Sequence, residues 1–233
     1  MGVIYLVRHG QASFGAADYD QLSPLGEEQT RRLGDWISAC GLSISAIATG
    51  TQKRHRQSAV ACGAACPAPA PERWRADAGF NEFDHVEVLV RHRPEFAAPR
   101  ALSEFLGRAD DPRRAFQQVF SQAVARWVSG EHDAEYAESF AAFRERVMAA
   151  LRRTVETAVK GEGIWVFTSG GAITAIVQGL LAIPDARIFD LNWTLVNTGV
   201  TKLLHGRGRV SLSYVNGHAH LERLQRPELI TYR

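Results

Sequence analysis

The chain has 233 residues, long enough for one sizeable α/β core without requiring a second domain, and 27 Lys and Arg against 25 Asp and Glu leave a net charge of +2. A balance this close to neutral gives no overall polybasic signal, so neither nucleic acid nor a membrane surface is an expected partner, and any selectivity for anions must be local. No apolar run approaches the ~20 residues that span a bilayer, no signal-type segment opens the chain, and Cys40, Cys62 and Cys66 lack the spacing of a disulfide framework or a zinc site. A soluble cytoplasmic protein is the expectation.

Val3 to Val7 is five consecutive apolar or aromatic residues, three of them β-branched, which predicts a buried parallel strand. The run stops at Arg8-His9-Gly10. In an open α/β sheet ligands bind beyond the carboxyl ends of the strands, so the chemistry is expected here, with Gly10 letting the backbone turn close to a ligand. Gln11 to Leu22 is polar and without periodicity, a loop able to fold over the strand end. Ser23 as N-cap and Pro24 at the first helical position open a helix carrying Leu25, Thr30, Leu33, Trp36 and Ile37, which Gly41 ends. Ile44 to Thr49 predicts a second buried strand, again stopping at a turn, Gly50, before Thr-Gln-Lys-Arg-His-Arg. Gln57 to Ala65 is small and Ala-rich, suited to a helix packed on a sheet, and the Pro-Ala run from Cys66 makes an extended connector.

From Arg73 to about His132 the composition changes. Trp74 to Phe83 is short and irregular; the patterns that follow are helical and rich in Arg, Ala and Phe, an inserted helical cap at about 84–136. Pro112 starts a helix whose stripe of Ala115, Phe116, Val119, Phe120, Val124, Trp127 and Val128 reads as core. Glu138 to Val159 continues with Phe140, Phe143, Val147, Leu151 and Val155 at helical spacing. Gly163 to Phe167 is the third buried strand and runs through Thr168-Ser169-Gly170-Gly171 into a helix from Ala172 to Leu181. The unpaired amides and positive dipole of such a helix start suit an anion. Leu195 to Leu204 and Val210 to Val215 predict two further strands around Gly206-Arg-Gly-Arg.

The fold expected is a single α/β domain over 1–233: a three-layer α/β/α sandwich with a mostly parallel central sheet and the helical insertion. Its three buried strands end in Arg8-His9, in Arg54 just past a turn, and in Ser169-Gly170-Gly171. All offer donors or positive charge, as a phosphoryl group requires, and two guanidinium groups can clamp its oxygens bidentately. Nearby positive charge would lower the pKa of His9 and favour the neutral imidazole that attacks phosphorus.

With Leu22-Ser-Pro-Leu-Gly-Glu-Glu-Gln29 and Thr49 to Ala59 beside Arg8-His9-Gly10, the chain resembles the histidine phosphatase superfamily, also called the phosphoglycerate mutase-like family. The resemblance runs through most of the chain and is most specific in its first half. It implies that His9 is the nucleophile that becomes phosphohistidine, Arg8 and Arg54 the phosphate clamp, and Glu82 in Phe80-Asn-Glu-Phe-Asp the proton donor. Glu138-Ser139 with Phe143 and Val147, and Asn197-Thr-Gly-Val-Thr, resemble the family's later helix and strand. The pattern is broken where most relatives carry a second histidine, just before the Gly-Gly turn: here the residue is Ser169. Losing one preorganised donor costs roughly 10²–10³ in turnover, part of which the hydroxyl and the Gly170 and Gly171 amides could recover. Ala12 and Gly15 also replace polar family positions, leaving Gln11 and Ser13 as substitute donors.

His55 and His85 lie close in sequence to Arg54 and Glu82; either ring could stand in for the missing imidazole, although a partly exposed histidine is the simpler reading of both. His218-x-His220 has strand-type metal spacing without a third ligand, so no metal is expected, nor any cofactor. Arg91-His-Arg-Pro and Arg113-Arg114 would select an anionic substrate only if the insertion overhangs the site. The activity implied is phosphomonoester hydrolysis through His9, metal-independent and slowed by Ser169. The alternatives are a phosphoglycerate mutase and a catalytically weakened protein that binds a phosphorylated ligand. The expected partner is a small phosphomonoester. The oligomeric state is open, a homodimer being one option.

Overall fold

The computed structural model describes residues 1–13, 20–159 and 161–232. Among these, β1 (Gly2–Arg8), β2 (Ala46–Thr49), β3 (Arg75–Ala76), β4 (Gly163–Thr168), β5 (Val200–Gly206) and β6 (Arg209–Gly217) form one sheet in the order β3-β2-β4-β1-β5-β6. The first four in that order run parallel, and β5 and β6 pair antiparallel with their neighbours. The sequence-predicted strands β1, β2 and β4 are therefore adjacent, and their carboxyl ends coincide: Arg8 pairs with Thr168 and Thr49 with Phe167. β3 is two exposed residues where an irregular stretch was expected.

The α-helices among the described residues are α1 (Pro24–Ala39), α2 (Lys53–Gly63), α3 (His85–His92), α4 (Ala101–Gly107), α5 (Pro112–Val128), α6 (Phe140–Glu156), α7 (Gly170–Leu181) and the short α8 (Ile188–Asn192) and α9 (Ala219–Glu222). Ser23 caps α1 as its sequence indicates, accepting from the Gly26 N–H at 3.1 Å. α2 starts earlier than the Ala-rich pattern suggested. Its N-cap residue Gln52 makes no side-chain cap; instead Asp20, from the segment ahead of α1, accepts from the Lys53 N–H at 2.8 Å. A cap supplied from so far away in sequence leaves no local signal, and it places Arg54 and His55 in a first helical turn. Leu195 to Gly199 is not strand: Thr198 takes a left-handed φ of 62° and donates its N–H to Arg8 O at 3.0 Å, so β5 begins only at Val200.

β1 and β4 are buried on both faces, which is why they read as unbroken apolar runs. One face sets Tyr5, Val7, Ile47, Trp165 and Phe167 against Leu33 and Ile37 of α1 and Ala59 and Cys62 of α2. Tyr5 and Trp165, partners in register, stack with centroids 4.2 Å apart, worth about 0.5–1.5 kcal/mol beyond the area they bury. Ile4, Leu6, Ile164 and Val166 are buried on the other face.

The turn after β1 is pressed onto α1. A Cβ on Gly10 would lie 2.3 Å from Gly26 O, and one on Gly26 would lie 2.2 Å from Gln11 O. What Gly10 approaches is thus a helix backbone. Gly26→Ala is expected to push the Gln11 backbone away and cost about 1–3 kcal/mol, read as a fall in the urea midpoint at unchanged slope; an unchanged midpoint would mean the contact is slack.

The chain divides into two compact units, the first comprising Met1–Glu82, Arg146–Ile183 and Ile188–Arg233, the second Phe83–Glu145 and Pro184–Arg187. In the second, Phe83, Trp127, Phe140 and Phe143 form an aromatic core, Phe83 lying 4.7 Å from Trp127 and edge-on to Phe143 at 5.7 Å. Of the predicted α5 stripe, Val119, Val124, Trp127 and Val128 are buried, while Ala115, Phe116 and Phe120 are half-buried. Arg91 and the Arg113–Arg114 pair belong to this unit, as does His85 at the start of α3.

Candidate active site

All the residues that follow belong to the first unit. His9, one residue beyond β1, is 5 % exposed. Its backbone is held by three hydrogen bonds: the N–H donates to Thr168 O at 2.9 Å, and the carbonyl accepts from Asn197 Nδ2 at 3.1 Å and from the Thr198 N–H at 3.4 Å. The ring is oriented from both sides. Nδ1 lies 2.7 Å from Gly10 O, which can only accept, so Nδ1 carries the proton and Nε2 the lone pair. Arg54 Nε–H donates to that Nε2 at 3.2 Å, consistent with the same tautomer. Burial holds the imidazole well below the ordinary histidine range; Arg54, His55 and Arg8 push the same way, and only the Gly10 carbonyl opposes them. Nearby charge thus acts as its sequence predicts, but desolvation is the larger cause.

Arg54, also 5 % exposed, is the node of the site. Besides His9 it reaches Asp20 Oδ1 through Nη1 at 2.7 Å, Gln52 Oε1 through Nη2 at 2.9 Å and, at 3.5 Å, Ser169 Oγ through the same Nη2. Arg8 donates through Nη1 to Leu195 O, and its guanidinium passes over Gly170, where a Cβ would stand 3.6 Å from Arg8 Nε and 2.9 Å from Asn192 Oδ1. The bare Cα of Gly170 is therefore needed against the Asn192 amide, while Arg8 would meet a Cβ only at ordinary contact distance.

Glu82 meets the opposite side of the turn. Its Oε2 accepts from the Gly171 N–H at 3.1 Å in the first turn of α7, and its own N–H donates to Gln52 Oε1 at 3.1 Å. One of the two amides that the Gly-Gly turn offers is therefore engaged by a carboxylate. Of the substitute donors, Ser13 gives its hydroxyl proton to Leu22 O at 3.0 Å, while Gln11 accepts from Ser23 Oγ at 2.9 Å through its amide oxygen. Gly15 lies outside the described residues.

The structure thus gathers Arg8, His9, Arg54, Glu82, Ser169 and Gly170 at the ends of β1, β2 and β4. It also recruits residues with no legible role in sequence: Asp20 and Gln52 on Arg54, Asn197 under His9, and Ser58, whose hydroxyl accepts from the Gly10 N–H at 3.0 Å and donates to Arg54 O at 2.8 Å. Gln52, Ser58 and Asn197 fall inside stretches that carry the family resemblance; Asp20 lies outside them. His55 is not the partly exposed residue its sequence context suggests. It is fully buried, with Nε2 2.6 Å from Ser169 Oγ. His218 and His220 part company, the first against Asn216 O and Glu222, the second buried on Thr198.

Fold and site define an α/β protein whose parallel strand ends gather basic and hydrogen-bonding groups around one histidine. Residues 4–217 match the histidine phosphatase superfamily (branch 1), and the chain belongs to that superfamily of phosphatases and mutases. It is 28 % identical over 203 residues to a 2,3-bisphosphoglycerate-dependent phosphoglycerate mutase of Caulobacter sp. (strain K31), covering 81 % of this chain and 84 % of the mutase. Among solved structures, it is similar to a mutant phosphoserine phosphatase from Entamoeba histolytica in complex with phosphoserine (TM-score 0.63, 18 % identity, 95 % and 100 % of the two chains). A phosphoglycerate mutase from Bacillus anthracis str. Sterne is similar too (TM-score 0.64, 16 % identity, 96 % of each). No helix among the described residues is long and apolar enough to cross a membrane.

Proposed function

We propose that the protein is a metal-independent phosphomonoester hydrolase that works through a phosphohistidine at His9. The observation that carries this reading is the locked ring: Nδ1–H held by Gly10 O leaves the Nε2 lone pair on the edge of the Arg54 guanidinium. A phosphoryl group binding that edge takes over the hydrogen bond that Nε2 now accepts, which frees the lone pair for in-line attack. His9 Nε2 forms the N–P bond as the ester P–O bond breaks, and the leaving oxygen takes a proton from Glu82. In the second half, Glu82 removes a proton from water as its oxygen attacks phosphorus, and the N–P bond breaks to return neutral His9. Arg8 and Arg54 supply the positive charge for the equatorial oxygens.

The test is a panel of phosphomonoesters assayed for phosphate release and for acid-labile phosphate on His9. Release with the label on His9 is expected, and Glu82→Gln should slow it by roughly 10²–10⁴-fold, most for esters with poor leaving groups. Release without any acid-labile phosphate would overturn the reading. A mutase is the second reading, favoured by the names of the Caulobacter relatives. It requires 3-phosphoglycerate to isomerise when primed with a bisphosphate; simple hydrolysis of both compounds would exclude it.

A further inference from the structure

Ser169 occupies the N-cap position of α7, yet its hydroxyl caps nothing in that helix. A serine there ordinarily turns its oxygen onto the N–H of the second or third helical residue. Here Oγ faces away, 2.6 Å from His55 Nε2 and 3.5 Å from Arg54 Nη2, with serine and imidazole both fully buried.

The proton on His55 can be placed. Burial, with Arg54 adding to it, keeps the ring neutral, so it has one N–H and one lone pair. Nδ1 is buried without a hydrogen-bond partner, against the bare Cα of Gly50, where a Cβ would fall 2.2 Å away. An orphaned buried N–H is rarer than an under-satisfied acceptor, so the proton belongs on Nε2, pointing at Ser169. Ser169 Oγ then accepts from His55 and from Arg54, which uses both of its lone pairs. Its own hydrogen is left to donate elsewhere.

Where it goes follows from Arg54. Nε and Nη2 form one edge of the guanidinium, the fork that takes two oxygens of a phosphate, and in this structure the edge is filled by His9 Nε2 and Ser169 Oγ. A phosphoryl group bound there lies between the two. We propose that His55 is a positioning residue for phosphoryl transfer: by filling a lone pair of Ser169 Oγ, it turns the Ser169 hydroxyl hydrogen onto an oxygen of the phosphoryl group at His9. The inference rests on the reading of His9 as the phosphoryl acceptor. Ser169 becomes the catalytic residue that touches the group, His55 acts only through it, and Gly50 makes room for the ring. Because Nε2 carries the proton, His55 is not a base and Ser169 not a nucleophile.

A double-mutant cycle tests this in the full-length chain, using p-nitrophenyl phosphate turnover, acid-labile phosphate on His9 and thermal midpoints for each variant. Ser169→Ala is expected to lower kcat/KM roughly 10²-fold. His55→Ala should lower it about three- to tenfold in the parent chain and cause no further loss when added to Ser169→Ala, and His55→Gln, which keeps an N–H in reach, should recover part of that loss. Equal losses from His55→Ala with and without Ser169→Ala would overturn the proposal by making His55 merely structural, and so would an acid-stable phosphoester on Ser169. Should His55→Ala fail to fold, His55→Gln against His55→Met in the same two backgrounds decides by the same criterion. Turnover that survives His9→Ala in the parent chain would instead bring down the underlying reading, and the proposal with it.

Discussion

Replacing His9 with alanine is expected to lower turnover of an aryl phosphate by on the order of 10⁴-fold or more, the scale on which removal of a covalent nucleophile acts, and to abolish acid-labile phosphate on the protein. Among the described residues, the neighbouring histidine cannot take over the attack. His55 lies with its ring centroid 5.7 Å from that of His9, but its Nε2 is spent on Ser169 and its Nδ1 faces Gly50. Retention of even a tenth of the activity in His9→Ala would rule out the mechanism. A second signature belongs to the wild-type chain. A ring whose pKa is depressed stays neutral, and therefore nucleophilic, as pH falls through the ordinary histidine value of about 6.5. Once corrected for the ester's own second ionisation near ~6, kcat/KM should hold its plateau through that window and fall only below it. An acid limb at or above 6.5 would mean that His9 is wetter and less crowded by charge than the structure has it.

The second large effect is expected at Arg54. Lysine keeps the charge but replaces a planar fork with a single ammonium, and no one nitrogen can serve His9 Nε2, Ser169 Oγ, Gln52 Oε1 and Asp20 Oδ1 together. Arg54→Lys should cost at least ~10²-fold in kcat/KM, chiefly through kcat if the fork tightens on the phosphoryl group in the transition state. A structural cost accompanies it, since Gln52 and Asp20 lose a partner. We expect about 1 kcal/mol, towards the low end for buried polar groups because Asp20 keeps access to water. Urea unfolding separates that cost from the kinetic one. Full kcat/KM in Arg54→Lys would show that charge alone, and not the bidentate edge, is what the site uses.

The parts of this molecule legible in its sequence are those encoded by contiguous residues. β1, β2 and β4 announce themselves because strands buried on both faces are unbroken apolar runs, and α1 because Ser23 and Pro24 signal its start locally. From those strand ends it follows that Arg8, His9 and Ser169 face one place, and the structure puts them there. The rest depends on pairings between distant segments. α2 is capped by Asp20 from ahead of α1, Thr198 turns left-handed to serve the β1 end, and His55 finds Ser169 from 114 residues away. A helical histidine between two arginines has the look of surface, and only the packing of α2 on β2 and β4 removes it from water.

The order of the strands has a consequence for how the protein comes to be active. β4 lies between β1 and β2 although it follows both by more than a hundred residues, and its parallel registry sets Thr168 beside Arg8. No local hairpin or helix pair can assemble this centre, because the chain must close a loop of 114 residues before Ser169 meets His55 and one of 115 before it meets Arg54. Such non-local pairing is slow relative to helix formation. On dilution from denaturant, helical signal should therefore return well before turnover, and the recovery of catalysis becomes a clock for the insertion of β4 into the sheet.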